Sequence, residues 1–391
     1  MSSQRRRLVI VEGGRLQRTI QIAGAALLVI TLCALPYVLE PFRLGQITQA
    51  CIYAMVIVGL NLLSGFAGQI SLGHAAFFGI GAYTTGVLIT SYDVAPPITF
   101  VVAIAGSFVV GVVVAFPALR LKGIYVALVT LAVGLIFPAV ITRMDQLTGG
   151  SSGLFGISYP PPDAAYFAGF DGTVYFHYWL AVIGLLLSCL VVRNLVRSRF
   201  GRSILALRDN ETPAVIMGVN RTAARTLTFG TSAGIAGLAG SLFAVTTGIL
   251  TPATFSLLLM LTFLAGMVIG GASTLWGPVL GGFVIYYVPQ WATDLSSING
   301  SQNLAGVAFG VIIIVITFTL RSGLAGLGRK LLATVVLVEP RQPRGVLQGT
   351  PSTVARAVGP SERRLPAPSP TDLANHLDRT GVGSTDAARN L

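Results

Sequence analysis

NLLSGFAGQISLGHAAFFGIGAY, residues 61–83, decides how the rest of the chain is read. The stretch is largely apolar, yet it is interrupted by Gly65, Gly68, Gly73, Gly79 and Gly81 and by the polar side chains of Asn61, Gln69, Ser71 and His74. A bilayer core offers no hydrogen-bonding partners, so such a segment is stable only where other protein covers it. Glycines let neighbouring backbones approach, while amide, hydroxyl and imidazole groups bond across helices. Two roles stand open for Asn61, Gly65, Gly68, Gln69, Ser71, Gly73 and His74: lining a translocation path, or close helix packing.

The composition around this stretch agrees with a membrane setting. The chain has 391 residues, of which 53% are hydrophobic and 10% charged, with a mean hydropathy of +0.77. Soluble domains carry about a quarter charged residues. Uncharged apolar runs of helix-spanning length, about 18–20 residues, recur along the sequence. They are continuous, unlike the alternating strands of about ten residues that build a transmembrane β-barrel. An all-α polytopic membrane protein follows.

The net charge of +12 does not point to nucleic acid, because the arginines gather in short connections and in the two tails. Cytoplasmic loops of membrane proteins have that distribution. Cys33, Cys51 and Cys189 all fall within apolar segments, without the spacing of a disulfide framework or metal site. The run from Ile20 to Leu39 follows a basic start but exceeds the apolar core of a signal peptide, typically about 7–15 residues. It reads as a first transmembrane helix.

About ten spans are expected: near 19–39, 44–64, 70–90, 98–118, 124–142, 176–192, 226–247, 257–272, 278–291 and 304–320. The two shortest, 257–272 and 278–291, are candidates for broken or re-entrant helices. Basic residues alternate as this count requires. The N-terminal segment 1–18, Arg120 with Lys122, the connection 193–225, and Arg321, Arg329 and Lys330 are basic, whereas the intervening connections carry Asp93, Asp163, Asp171 and Asp294 and little positive charge beyond Arg43 and Arg143. Both termini are therefore expected in the cytoplasm. Pro117 and Pro138 lie inside predicted spans, where neighbouring helices compensate for the lost backbone bond and a kink survives. After the transmembrane domain 19–321, the tail 322–391 is rich in Pro, Ser and Arg and is expected to be a largely disordered cytoplasmic extension.

The connection 193–225 is longer and more ordered than a turn needs to be. Arg197, Arg199 and Arg202 open it, and Ile204, Leu205, Leu207, Val215, Ile216 and Met217 are spread among charged positions. Asp209 or Asn210 is a candidate cap for a short helix starting near Thr212 and Pro213, which Gly218 would end. An amphipathic helix of this kind either lies on a membrane surface or docks into a partner.

ALRDNETPAVIMGVN, residues 206–220, resembles the cytoplasmic coupling loop of permease subunits of ABC importers for branched-chain amino acids. Residues 64–83 are similar to the most characteristic stretch of that family. LRLKGIYVALVTLAVG (119–134), DQLTGGSSGLFGI (145–157) and VIGGASTLWGPVLGG (268–282) resemble further blocks in the same order. The resemblance runs from about residue 44 to 321 and leaves the tail outside. Two positions depart from the family pattern: Leu135 follows Gly134 where many relatives have an acidic residue, and Ala272 stands where a further glycine is usual.

The resemblance implies an ABC importer permease architecture in a bacterial inner membrane. Two permeases would pair to form the path, two ATP-binding subunits would dock on their coupling loops, and an extracytoplasmic solute-binding protein would deliver substrate. It implies Arg208, Asp209, Asn210, Glu211, Met217 and Gly218 as the ATPase-coupling contact. The chain carries no G-x-x-x-x-G-K-[ST] motif, so ATP and Mg are expected in partner subunits, with no cofactor or metal and no catalysis here. Leucine, isoleucine and valine are the implied substrates, and a urea or short-amide importer is the alternative within the same architecture. An ion-coupled secondary transporter would carry acidic groups inside its spans, which these lack apart from their ends. A membrane enzyme would need a cluster of nucleophile, base or metal ligands, which His74, His177 and the scattered cysteines do not form.

Overall fold

The structure, a computed structural model, describes residues 8–11, 32, 34–119, 124–161, 172–298, 310–311, 323–324, 326 and 336–339. Among the described residues, besides a single helical turn at Asp145–Thr148, ten helices carry the architecture: α1 (Pro41–Leu60), α2 (His74–Tyr92), α3 (Pro96–Leu119), α4 (Ile124–Arg143), α5 (Gly172–Arg197), α6 (Arg199–Asp209), α7 (Glu211–Ile216), α8 (Arg221–Thr247), α9 (Leu257–Gly270) and α10 (Gly277–Ile298). Strand β1 (Leu8–Val11) pairs in parallel with β4 (Val336–Glu339), and β2 (Leu154–Phe155) pairs antiparallel with β3 (Ile249–Leu250). The tail beyond residue 339 lies outside the described residues, as do most of the candidate spans 19–39 and 304–320.

Among the described residues, five stretches are long and apolar enough to cross a bilayer: Pro41–Phe66, Pro96–Pro117, Tyr125–Arg143, Gly172–Arg197 and Arg221–Thr247. The fold is thus all-α and polytopic. Burial separates these helices into two kinds. In the most apolar windows of α1 and α8, 78% and 89% of residues are buried, against 28–33% in α3, α4 and α5. The centre is α1, α2 and α8, which pack through small residues. A Cβ on Gly81 would run into the backbone of Gly237, and one on Gly240 into the carbonyl of Phe78. Aromatic rings fill the neighbouring space, with Phe78 5.1 Å from Phe243 and 5.7 Å from both Phe255 and Phe263.

Local chemistry sets the helix ends. Pro41 begins α1 behind an extended Glu40, a position where the missing N–H costs nothing. Asn220 Oδ1 accepts from Ala223 N at 3.0 Å to cap α8, and Gly248, at φ 70°, ends it. Between these caps α8 runs for 27 residues, about 40 Å at 1.5 Å per residue. At its far end β2 lies on β3, and Ile157 N donates to Gly248 O at 3.3 Å, so the TGG-containing loop is fastened there.

The expected span boundaries shift in instructive places. Pro117 and Pro138 sit inside α3 and α4 without ending them, and Pro289 sits inside α10. Of the two shortest candidates, α9 is a 14-residue helix, about 21 Å long and short of a hydrocarbon core of about 30 Å. The other, α10, extends to 22 residues because its helix runs on beyond Trp291 to Ile298. The connection expected over 193–225 narrows to Ser198–Asn220, since α5 runs on to Arg197 and α8 starts at Arg221. Most of it is helical.

Candidate functional site

The 61–83 stretch divides into three parts. Asn61–Phe66 continues α1 as a π-helical turn, residues 67–73 break the helix, and α2 begins at His74. Gly68 turns the chain at φ 68°, a conformation side chains rarely adopt. Widened turns of this kind are frequent at functional sites.

His74 is buried at 2% exposure between two hydroxyls. Its Nδ1 lies 3.0 Å from Ser71 Oγ and its Nε2 lies 2.7 Å from Ser232 Oγ on α8. Ser232 Oγ donates to Gly59 O at 2.5 Å. With the serine proton committed there, His74 Nε2 is the donor to Ser232, and Nδ1 accepts from Ser71. One imidazole thus joins α1, α2 and α8. The break before it is held in turn by Leu72 N donating to Thr130 Oγ1 at 3.0 Å and by Ser64 Oγ donating to Gln69 O at 3.0 Å. Gly73 presses on the backbone of Thr130, where a Cβ would collide with the carbonyl.

A second knot forms at the end of α1. Asn61 Oδ1 accepts from Ser273 N at 2.9 Å, and Asn61 Nδ2 donates to Thr274 O at 2.8 Å, so one amide holds the turn between α9 and α10. Gly65 leaves room for this, since a Cβ there would meet Asn61 Oδ1 and Ser273 N. Arg208, in the last turn of α6, reaches the same place: its Nη1 donates to Gly65 O at 2.8 Å and to Ser273 Oγ at 2.7 Å.

The rest of the connection forms a small separate body. Ser198 Oγ accepts from Gly201 N at 3.2 Å to cap α6. Leu207, Ala214 and Ala224 form a minor core with Phe200 and Val219 packed on it. Glu211 binds two arginines of α8, Arg221 at 2.6 Å and Arg225 at 3.0 Å. The Arg221 hydrogen bond, reinforced by Arg225, holds its carboxyl below the ordinary carboxylate range. Helix α7 ends before Gly218, at φ 88°. Beyond the clamp Val215, Ile216 and Met217 stand out, Ile216 and Met217 at 77% and 84% exposure.

The structure therefore disperses the six coupling residues named from the sequence. Arg208 turns inward to Gly65 and Ser273, and Glu211 is held by Arg221 and Arg225. Asp209, Asn210, Met217 and Gly218 face outward. Of the seven path-or-packing residues, Asn61, Gly65, Ser71, Gly73 and His74 are buried, while Gln69 and Gly68 border the coupling segment. Gln69 lies beside Ile204, Leu207, Arg225 and Thr228, and its Nε2 is buried with no hydrogen-bond partner among the described residues.

Sequence reasoning missed Ser232, Ser273, Thr130, Arg221 and Arg225. The Gly, Ala and Ser richness of residues 230–241 was a usable sign that α8 packs closely. Elsewhere, a groove of about 630 Å³ opens between α2, α3 and α4, lined by Ile80, Val87, Val133, Phe137 and Met144 among others. Its lining contains no charged residue, so it suits hydrocarbon rather than a zwitterion. No group of three potential metal ligands occurs among the described residues.

A bundle of membrane-spanning helices with a structured extramembrane connection tied into its broken centre is the design of a transport subunit. Residues 42–326 match the family described as branched-chain amino acid transport system, permease component, and the chain belongs to that family. It is 31% identical over 294 residues to the high-affinity branched-chain amino acid transport system permease protein LivM of Salmonella typhimurium, covering 69% of this chain and 68% of that protein. Identity to LivM of Escherichia coli is 30% over 303 residues, with the same coverage. BraD of Pseudomonas aeruginosa, a permease protein of the same description, is 25% identical over 70% of this chain and 91% of its own length. No solved structure matches.

Proposed function

We propose that the chain is a permease subunit of an ATP-driven importer that carries leucine, isoleucine and valine across a bacterial inner membrane. In this reading it pairs with a second permease, binds an ATP-binding subunit through α6 and α7, and receives substrate from an extracytoplasmic solute-binding protein. The names of its relatives support the substrate class. The observation that carries the mechanism is the tip of the coupling segment. Ile216 and Met217 project from a body whose own core and ion pairs are complete, so this apolar surface has no use within the described chain. Exposed apolar anchors beside polar groups are the composition of a docking surface.

For residues 61–83, close helix packing is the role the geometry favours. His74 spends both ring nitrogens on Ser71 and Ser232, and Asn61 spends its amide on the turn between α9 and α10. These residues would position the path rather than contact the substrate.

The test is reconstitution with the partner permease, ATPase subunits and solute-binding protein in proteoliposomes. Uptake of labelled leucine, isoleucine and valine should require ATP inside and binding protein outside. Met217→Asp or Asp209→Lys should weaken ATPase association at least about tenfold, as loss of an interface hot spot does. Uptake of urea or short amides in place of these amino acids would overturn the substrate, and undiminished association in both variants would overturn the docking surface.

A further inference from the structure

We propose that Arg208 is a positioning residue that transmits movement of the coupling segment to the helix ends gating the path; this rests on reading α6 and α7 as the ATPase-docking element. Arg208 Nη1, Ser273 Oγ and Gly65 O form a closed triangle. The guanidinium donates to Gly65 O at 2.8 Å and to the serine hydroxyl at 2.7 Å, and the hydroxyl donates to Gly65 O at 2.7 Å. Three segments meet there: the last turn of α6, the end of α1, and the turn joining α9 to α10.

The acceptor exists because the helix ends. Carbonyls in the final turn have no intrahelical N–H to accept, and the partial negative charge at a helix C-terminus favours a cation. Gly68 stops α1 from continuing past this point, and its missing side chain makes room, since a Cβ there would come 3.0 Å from Arg208 Cγ. Among the described residues, the ion pairs are those of Glu211 with Arg221 and Arg225, so the Arg208 charge is satisfied by these dipoles and by solvent. Ser273 is held at φ 61°, an uncommon conformation for a residue with a side chain, which persists where contacts over-determine it. Here Asn61 and Arg208 do so together.

The position of Arg208 makes this a linkage rather than a simple brace. It lies three residues before Glu211, where α7 begins, and the far end of that six-residue helix carries the exposed tip, so displacement of the tip acts on α6 at the turn that grips the bundle. On the other side of the triangle are two irregular elements of the centre, of the kind that rearrange when packed helices shift. One is a helix end already wound as a π-turn, and the other is a short turn between α9 and α10.

The experiment measures substrate imported per ATP hydrolysed by the full transporter in proteoliposomes, a ratio that a loss of assembled complex does not change. Arg208→Ala should lower this ratio about tenfold, the scale of losing a charge-assisted hydrogen bond. Arg208→Lys should restore most of it, because an ammonium can donate to both oxygens. Ser273→Ala should lower the ratio alone and add little to Arg208→Ala, since both remove one linkage. An unchanged ratio in Arg208→Ala, or fully additive losses in the double variant, would overturn the linkage. Hydrolysis-independent uptake by the unaltered transporter would instead overturn the functional reading beneath it.

Discussion

Helices α1 and α8 differ from α3, α4 and α5 in a direction opposite to that of a soluble protein. The inner pair has the lower mean hydropathy and the greater burial, while the outer three are more apolar and leave most of their windows uncovered. In water the apolar faces would turn inward. Here hydrocarbon serves as the outer solvent, so Val101, Val109, Val113 and Phe116 of α3 stand exposed without cost. Asn61, Ser71, His74, Ser232 and Ser241 are buried because only protein can supply their hydrogen bonds. Close contact and hydrogen bonding hold the inner helices together.

The largest expected effect follows from that contact. Gly81→Leu places a side chain where the backbone of Gly237 lies, and neither helix has a flexible group to move aside. Recovery of monodisperse protein should fall more than about tenfold, since overpacking against backbone is relieved only by separating the helices. Val113→Leu, on the 61% exposed position of α3, should leave recovery unchanged. Size-exclusion profiles of both variants in mild detergent check the pair. Equal recovery would break the distinction between inner and outer helices.

A smaller effect tests the hydrogen bonds separately from the contacts. Ser232→Ala removes the partner of His74 Nε2 and the donor to Gly59 O while leaving the helix spacing intact. The cost should be about 1–2 kcal/mol, because it leaves buried polar groups unmatched. Thr262→Ala, which removes an exposed hydroxyl bonded only within its own helix, should stay within about 0.5 kcal/mol. Unfolding in detergent measures both. A double-mutant cycle of Ser232→Ala with His74→Ala should be clearly non-additive, because the two side chains share one bond. An equal cost for Ser232→Ala and Thr262→Ala would mean that the imidazole bridge contributes nothing beyond shape.

The sequence separations in these clusters explain what could be read in advance. The helices themselves were legible, because an apolar run of spanning length is a local property and eight of the ten expected spans correspond to described helices. The short helix α7 between Asn210 and Gly218 was also legible, although it starts at Glu211 and the Asn210 side chain at its N-cap makes no capping hydrogen bond. Helix α6 was not. RFGRSILALRD is charged on most of its surface, and only Gly201, Ile204 and Leu207 are buried along one narrow face. The partners were hidden for a different reason. Ser232 lies 158 residues from His74, and Ser273 lies 212 from Asn61. Small polar residues at either end carry no mark of which helix they will meet, so the sequence supplied candidates for the polar clusters without their connections.

The smallest effect belongs to the ion pairs outside the bundle, where charges are most visible in sequence and weakest in energy. Glu211 bridges Arg221 and Arg225, with its side chain 30% exposed and that of Arg221 42% exposed. Ion pairs of this exposure are worth up to about 1 kcal/mol. Because the Arg221 and Arg225 contacts lower the Glu211 carboxyl in the folded state, its contribution is complete above the ordinary carboxylate range. It is lost only as pH falls through the lowered folded value, so stability rises with pH across that window and is flat near neutrality. Glu211→Gln should therefore increase hydrogen exchange in α7 modestly at pH 7 and remove the acid dependence, with the bundle helices unaffected. A loss larger than that of Ser232→Ala would reverse the ranking. Charged groups outside the bundle would then stabilise this protein more than the uncharged hydroxyl and imidazole groups buried within it.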